Sequence, residues 1–173
     1  MTVGQHRLDV HGGDHRQVRA SGVRSLPVRR YGPFVLLICL GVAVQTWAAL
    51  QWTANLDSDE AIIGLMARHI LQGNIPTYYY GQRYLGTLNA ILSAPFVRWM
   101  SSRVLGLRMS SLLLFGALLT LHGVLVRRLW GRRVALISLL VLALPGLHML
   151  KWTHRPVSSF GEMSVLGTGA LLL

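Results

Sequence analysis

Three long runs of residues without a charged side chain are the feature that most limits how this chain can fold. Residues 34–50, 109–126 and 134–150 contain no Asp, Glu, Lys or Arg and are almost wholly apolar. An α-helix of about 20 such residues crosses the hydrocarbon core of a membrane, which is about 30 Å thick. The runs therefore predict an all-α, polytopic transmembrane helical bundle, with spans at about residues 33–52, 108–126 and 134–150.

The amino-acid composition agrees with a lipid environment. Hydrophobic residues make up 52% of the chain and charged residues only 13%, whereas about 25% of the residues in a soluble domain are charged. A further apolar run begins at Met163 and reaches the last residue of the sequence before it is long enough to cross a membrane. We therefore expect a multi-pass protein of the cell (inner) membrane, with the start of a fourth span at 162–173, and an N-terminal fragment of a longer protein.

Residues 1–30 differ from the rest of the chain, because they contain six Arg and show no apolar periodicity. They predict a basic, flexible tail. Arg29 and Arg30 come just before the first span, and such residues mark the cytoplasmic side of a membrane, so we expect a cytoplasmic N-terminus. No aromatic residue lies among these arginines to stack on bases. The expected partner is therefore the lipid bilayer, not nucleic acid, and residues 31–173 form the membrane domain.

An uncharged segment at residues 84–97 is ambiguous. It has 14 residues, which is about 21 Å of helix, and Pro95 would kink it. The distribution of basic residues between the two sides of the membrane does not decide between a span and a helix at the surface. Length favours a juxtamembrane helix, so we place this segment in an external loop at 53–107.

Acidic residues are scarce and clustered. Three of the six acids in the chain are Asp57, Asp59 and Glu60, and the next one is Glu162. The cluster follows the first span and opens a helical pattern of apolar residues that ends near Gly73. Two interpretations stay open: Asp57 and Glu60 could form a capping box at the start of this amphipathic helix, or the cluster could supply a general base at the membrane surface.

The same stretch resembles a known family. Residues 57–76 (DSDEAIIGLMARHILQGNIP) and 79–90 (YYGQRYLGTLNA) resemble the first external loop of the GT-C superfamily of membrane glycosyltransferases. The resemblance is closest to glycosyltransferase family 39-like proteins, relatives of protein O-mannosyltransferases and aminoarabinose transferases. It extends to Arg108, to the charged turn at 127–133 and to residues 154–162.

The resemblance implies a reaction and a set of residues. The substrate would be a polyprenyl-phosphate-linked sugar, which is transferred to an acceptor hydroxyl at the outer face of the membrane. Asp59 would be the catalytic base and Glu60 its companion, while Arg108 would face the donor phosphate. The substrate-binding residues implied in this way are Asp57, Tyr80, Gln82, Tyr84, Arg108 and Glu162.

Metal use and enzymatic activity remain open at this stage. A divalent metal cofactor is compatible with the family, but Asn89 stands where relatives often have an acid, so we assign no metal ligands. The alternative function is that of a small non-enzymatic integral membrane protein, acting as a scaffold or subunit. Transport is disfavoured because nearly all charged residues flank the spans and do not lie within them.

Overall fold

The structure is a computed structural model and describes residues 28–51, 56–146, 150, 153, 155–156 and 160–173. All five elements in this part of the chain are α-helices, which confirms the all-α class. They are α1 (Val28–Gln51), α2 (Ser58–Leu71), α3 (Leu88–Trp99), α4 (Arg103–Ala143) and α5 (Phe160–Ala170). The predicted flexible tail lies outside the described residues, apart from its last three positions, which form the start of α1.

Helix α4 is a helical hairpin, because the chain reverses direction at Gly131. This glycine has φ +84° and ψ −179°, a conformation outside the helical region. His122 and Ser138 would be about 24 Å apart in a straight helix, yet His122 Nε2 lies 2.6 Å from Ser138 Oγ. The two predicted spans on either side of the basic turn are therefore the two arms of one hairpin.

Gly131 is required at the turn by its backbone and not by crowding. A Cβ atom at this position would have no neighbour within 4 Å, but its φ/ψ combination is accessible almost only to glycine. We expect Gly131→Ala to lower the free energy of unfolding by about 1–3 kcal/mol. The matched control, Gly167→Ala in α5, also enters open space and should be neutral or slightly stabilising. Denaturant titration in detergent micelles measures both variants, and equal stability of the two would contradict this account.

The second arm of the hairpin is shorter than the sequence predicts. The helix ends at Ala143, whereas the predicted span continues to residue 150. Pro145 explains the difference, because a proline has no N–H to donate and disfavours helical geometry at the preceding residue. Leu144 accordingly has φ −114° and ψ 64°. The second arm, residues 132–143, is about 18 Å long.

Helix α1 packs against both arms of the hairpin. Its contacts belong to an apolar cluster that includes Phe34 of α1 with Leu119 and Leu139 of α4. Gly41 permits the close approach, since a Cβ atom there would lie 2.7 Å from a Leu119 methyl carbon and 3.2 Å from Ala143. The small residue therefore sets the separation of α1 from both arms.

Two helices, Tyr31–Gln51 and Arg103–Ala143, are long and apolar enough to cross a membrane. They run antiparallel where they meet, because the Arg127 guanidinium lies 5.0 Å from the Tyr31 ring centroid and Arg108 Nη1 donates to the Ala49 carbonyl. From Tyr31 to Ala49 the helix rises about 27 Å, close to the thickness of a hydrocarbon core. One end of the bundle thus carries the basic hairpin turn, and the acidic cluster lies at the other end.

Helices α2 and α3 form a small second layer at the acidic end. Ile63 and Met66 of α2 pack with Tyr79, Ala90 of α3 and Leu107 of α4 in a buried cluster. α3 has 12 residues, about 18 Å, which is shorter than a hydrocarbon core. It packs tightly on the start of α4.

Helix α5 lies against the first arm of the hairpin and runs parallel to it. A Cβ atom at Gly161 would lie 3.3 Å from Leu114, and one at Gly169 would lie 3.9 Å from Leu121, seven residues further along α4. Glu162, in its first turn, is thereby brought to the acidic end of the bundle.

Candidate functional site

The acidic cluster begins with a capping box. Asp57 is the N-cap residue of α2, and its side chain accepts a hydrogen bond from the Ser58 backbone N–H at 2.7 Å. In return, the Asp57 backbone N–H donates to Glu60 Oε2 at 3.2 Å. The structure thus contains the capping arrangement that the sequence left as one of two interpretations. It accounts for Asp57 and Glu60, but not for Asp59.

Glu60 also forms a buried ion pair with Arg108. Arg108 Nε donates to Glu60 Oε1 at 3.0 Å and Arg108 Nη2 donates to Glu60 Oε2 at 3.2 Å. Both side chains have 0% exposure. Arg108 Nη1 donates in addition to the Ala49 carbonyl oxygen at 3.0 Å. A bidentate ion pair fixes the geometry of both groups. The pair joins α2 to α4, and the bond to Ala49 joins Arg108 to α1.

Both members of this ion pair, Glu60 and Arg108, are predicted site residues. Arg108 was expected to face a donor phosphate and Glu60 to assist the base, and the structure turns the two side chains toward each other inside the protein. A buried ion pair is expensive to break, because either partner alone would be an uncompensated charge. In this arrangement the pair holds the start of α2 in place and does not present a charge to solvent.

Asp59 is the member of the cluster that takes part in neither the capping box nor the ion pair, and it is partly exposed. The hydroxyl of the buried Tyr79 donates to the Asp59 backbone carbonyl at 3.3 Å. Burial, together with the neighbouring charge of Asp59, raises the pKa of Tyr79 to about 12. Tyr79 therefore remains protonated near neutral pH and acts as a donor beside this carboxylate.

Arg155 lies beside the cluster and was not among the predicted site residues. Its Nη1 atom is 3.3 Å from Asp57 Oδ2, with side-chain exposures of 25% for Arg155 and 46% for Asp57. Its buried Nε atom has no hydrogen-bond partner among the described residues. The sequence signal was the position of Arg155 within the 154–162 segment of the family resemblance, but only the fold shows that it contacts the cluster.

Glu162 lies in a second group of polar side chains. Its Oε1 atom accepts a hydrogen bond from the Asn89 backbone N–H at 2.6 Å, and its side chain is almost completely buried. Nearby, Ser93 Oγ lies 2.8 Å from Ser110 Oγ, and Ser110 also contacts the Asn89 side chain. Sequence reasoning missed both serines because each is an uncharged residue in a mostly apolar segment.

The three remaining predicted substrate contacts occupy the bend before α3. Tyr80 has its hydroxyl 2.6 Å from His69 Nδ1. The Gln82 backbone N–H donates to the Tyr79 carbonyl at 3.1 Å, and Tyr84 is one of the most exposed aromatic side chains described. The structure therefore joins Asp57, Glu60, Arg108 and Arg155 into one connected group. The hydrogen bonds given above for Tyr80 and Gln82 go to other residues, His69 and Tyr79.

The described residues contain no group of three or more His, Cys, Asp or Glu side chains that could hold a metal ion. Of the three carboxylates at the start of α2, those of Asp57 and Glu60 are used in the capping box, and that of Glu60 also in the buried ion pair. Comparisons with known proteins find no matching family model, no matching curated protein and no matching solved structure.

Proposed function

We propose that this chain belongs to a multi-pass membrane glycosyltransferase, which transfers a sugar from a polyprenyl-phosphate donor to an acceptor at the outer face of the membrane. The observation that carries the proposal is the separation of roles within the acidic cluster. Asp57 and Glu60 make the cap and the buried ion pair, while the Asp59 carboxylate stays partly exposed on the same rigid helix turn. A general base needs this combination of accessibility and fixed position.

The place of the cluster in the fold supports a lipid-linked substrate. Glu60 is bonded to Arg108 at the level of Ala49, near the end of the two helices that are long enough to cross a membrane. A sugar carried on a polyprenyl phosphate has its lipid in the bilayer and its sugar at the surface. In this proposal, Asp59 would act where the sugar meets an acceptor that arrives from the aqueous side.

The proposed reaction is an inverting displacement at the anomeric carbon. The Asp59 carboxylate accepts the proton of an acceptor hydroxyl, and the hydroxyl oxygen forms a bond to the anomeric carbon. The bond from that carbon to the phosphate oxygen breaks, and its electron pair leaves with the polyprenyl phosphate. We assign the stabilisation of the leaving phosphate to Arg155, which is partly exposed and lies beside Asp57.

The orientation that we propose has the N-terminus in the cytoplasm and the acidic end outside. It is supported by the four arginines of the hairpin turn, which lie at the same end of the bundle as the start of α1: Arg127, Arg128, Arg132 and Arg133. Basic residues at one end of a set of spans mark the cytoplasmic side.

The test of this function is a transfer assay with membranes that contain the full chain. Polyprenyl-phosphate donors carrying a hexose, a pentose or an aminopentose are supplied with a mixture of acceptors, and release of free polyprenyl phosphate is measured. We expect release from one class of donor above the level of membranes that lack the protein. Absence of release from every donor would reject the enzymatic function and favour a non-enzymatic scaffold or subunit.

A further inference from the structure

A cavity of about 290 Å³ lies between α2, the end of α3 and the start of α4. Its walls are mostly apolar and include Val97 and Leu107. The cavity floor depends on Gly64, because a Cβ atom at this position would lie 3.2 Å from a Leu107 methyl carbon. Glycine thus lets α2 approach α4 closely while leaving the groove above the contact open.

The polar side chains that line this cavity are two arginines, Arg68 of α2 and Arg103 of α4. Both are exposed, and among the described residues no acidic side chain lines the cavity with them. The ion pairs of the described residues involve other arginines. Arg103 is also the first residue of α4, where the helix dipole adds positive potential. The groove therefore combines two available guanidinium groups with an apolar lining.

We infer that this cavity is a binding site for an anionic phospholipid of the surrounding bilayer. The phosphodiester would be bound by Arg68 and Arg103, since guanidinium groups form charge-assisted hydrogen bonds with phosphate. One acyl chain would lie on the apolar lining, whose rim includes the exposed side chains of Leu56 and Leu65. A free phosphate would leave this apolar surface uncovered, so a lipid fits the lining better than a small anion does.

The two arginines are displaced along the helix from the proposed catalytic carboxylate, although the apolar lining reaches Leu56 and Ala61 on either side of the acidic cluster. Arg68 follows Asp59 by nine positions on α2, which is about 14 Å along the helix. The proposed phosphate position is therefore distinct from that of the Asp59 carboxylate. The inference does not depend on the proposed glycosyl transfer and holds equally for a protein without enzymatic activity.

The experiment compares lipid retention by purified full-length protein. The protein is exchanged into bilayer discs of phosphatidylcholine with a minor fraction of phosphatidylglycerol, and the lipids that remain bound are counted by native mass spectrometry. We expect the wild-type protein to retain phosphatidylglycerol in preference to phosphatidylcholine. The variant Arg68→Gln/Arg103→Gln should lower this preference about tenfold, the effect of losing charge-assisted hydrogen bonds to one phosphate.

The matched control is Arg83→Gln/Arg98→Gln, which removes the same charge from two exposed arginines that do not line the cavity. It should keep the wild-type preference. A third variant, Ala61→Phe, retains both arginines but fills the groove from an exposed position of α2, and it should lower retention as well.

Three results would overturn the inference. The first is equal loss in the two arginine double variants, which would indicate attraction by net charge alone. The second is a wild-type protein without any preference for phosphatidylglycerol. The third is full displacement of the lipid by inorganic phosphate at the same concentration, which would indicate a site for a small anion. Helix content, measured by circular dichroism, confirms that each variant is folded.

Discussion

Replacing Asp59 by asparagine is expected to lower the rate of sugar transfer by about 10²- to 10⁴-fold, the usual contribution of a positioned general base. The amide has nearly the same shape but cannot accept the proton of an acceptor hydroxyl. Because Asp59 takes part in neither the capping box nor the buried ion pair, the free energy of unfolding should change little. The transfer assay measures the rate, and denaturant titration in micelles measures the stability.

The control for this variant is Ser58→Ala, an exposed position in the same first turn of α2. It leaves all three carboxylates in place and should keep transfer close to the wild-type rate. Transfer by Asp59→Asn at a near wild-type rate would remove Asp59 from its role. If both variants lost activity together, the helix turn would matter for its shape and not for the chemistry of one carboxylate.

Replacing Arg108 by methionine is expected to lower the free energy of unfolding by about 3–5 kcal/mol, the range for breaking one side of a buried ion pair. Methionine preserves much of the side-chain volume but leaves the Glu60 carboxylate buried without its counter-charge. The Ala49 carbonyl also loses the donor that it has at 3.0 Å. The loss of stability therefore comes mainly from the buried Glu60 carboxylate without its counter-charge, and less from the loss of the arginine side chain itself.

A double variant separates the cost of the isolated Glu60 carboxylate from the loss of the Arg108 side chain. Glu60→Leu/Arg108→Met removes both charges and should be more stable than Arg108→Met alone, because no isolated carboxylate remains. Arg83→Met serves as the surface control and should stay within about 0.5 kcal/mol of wild type. A loss of less than about 1 kcal/mol in Arg108→Met would contradict the view that this pair holds α2 in place.

The parts of the fold that the sequence predicts are those with a local cause. Apolar runs predict helices, and the capping box at Asp57 and Glu60 needs only residues three positions apart. The charged turn between the second and third runs also marks a reversal of the chain, although its backbone geometry at Gly131 does not follow from the pattern. The second arm ends at Ala143, before the predicted bound at residue 150, because Pro145 disfavours helical geometry at the residue before it.

The contacts within the candidate site, in contrast, have no local cause in the sequence. Composition and spacing drew attention to Asp57, Asp59 and Glu60 as a group, but they did not distinguish the three carboxylates. The distinction comes from partners remote in the chain: Arg108 follows Glu60 by 48 positions, and Arg155 follows Asp57 by 98. Periodicity over one helix carries no information on such contacts.

The sequence by itself therefore determined the helical class, the apolar segments and the position of the acidic cluster, because each follows from residues within a few turns of one another. The tertiary structure decided which acid takes part in neither the capping box nor the buried ion pair. It buries Glu60 against Arg108 and leaves Asp59 partly exposed, and this outcome depends on how α1, α2 and α4 pack. Packing between distant helices sets the desolvation and the partners of each charge, and these two quantities decide whether a carboxylate supports the fold or remains available for chemistry.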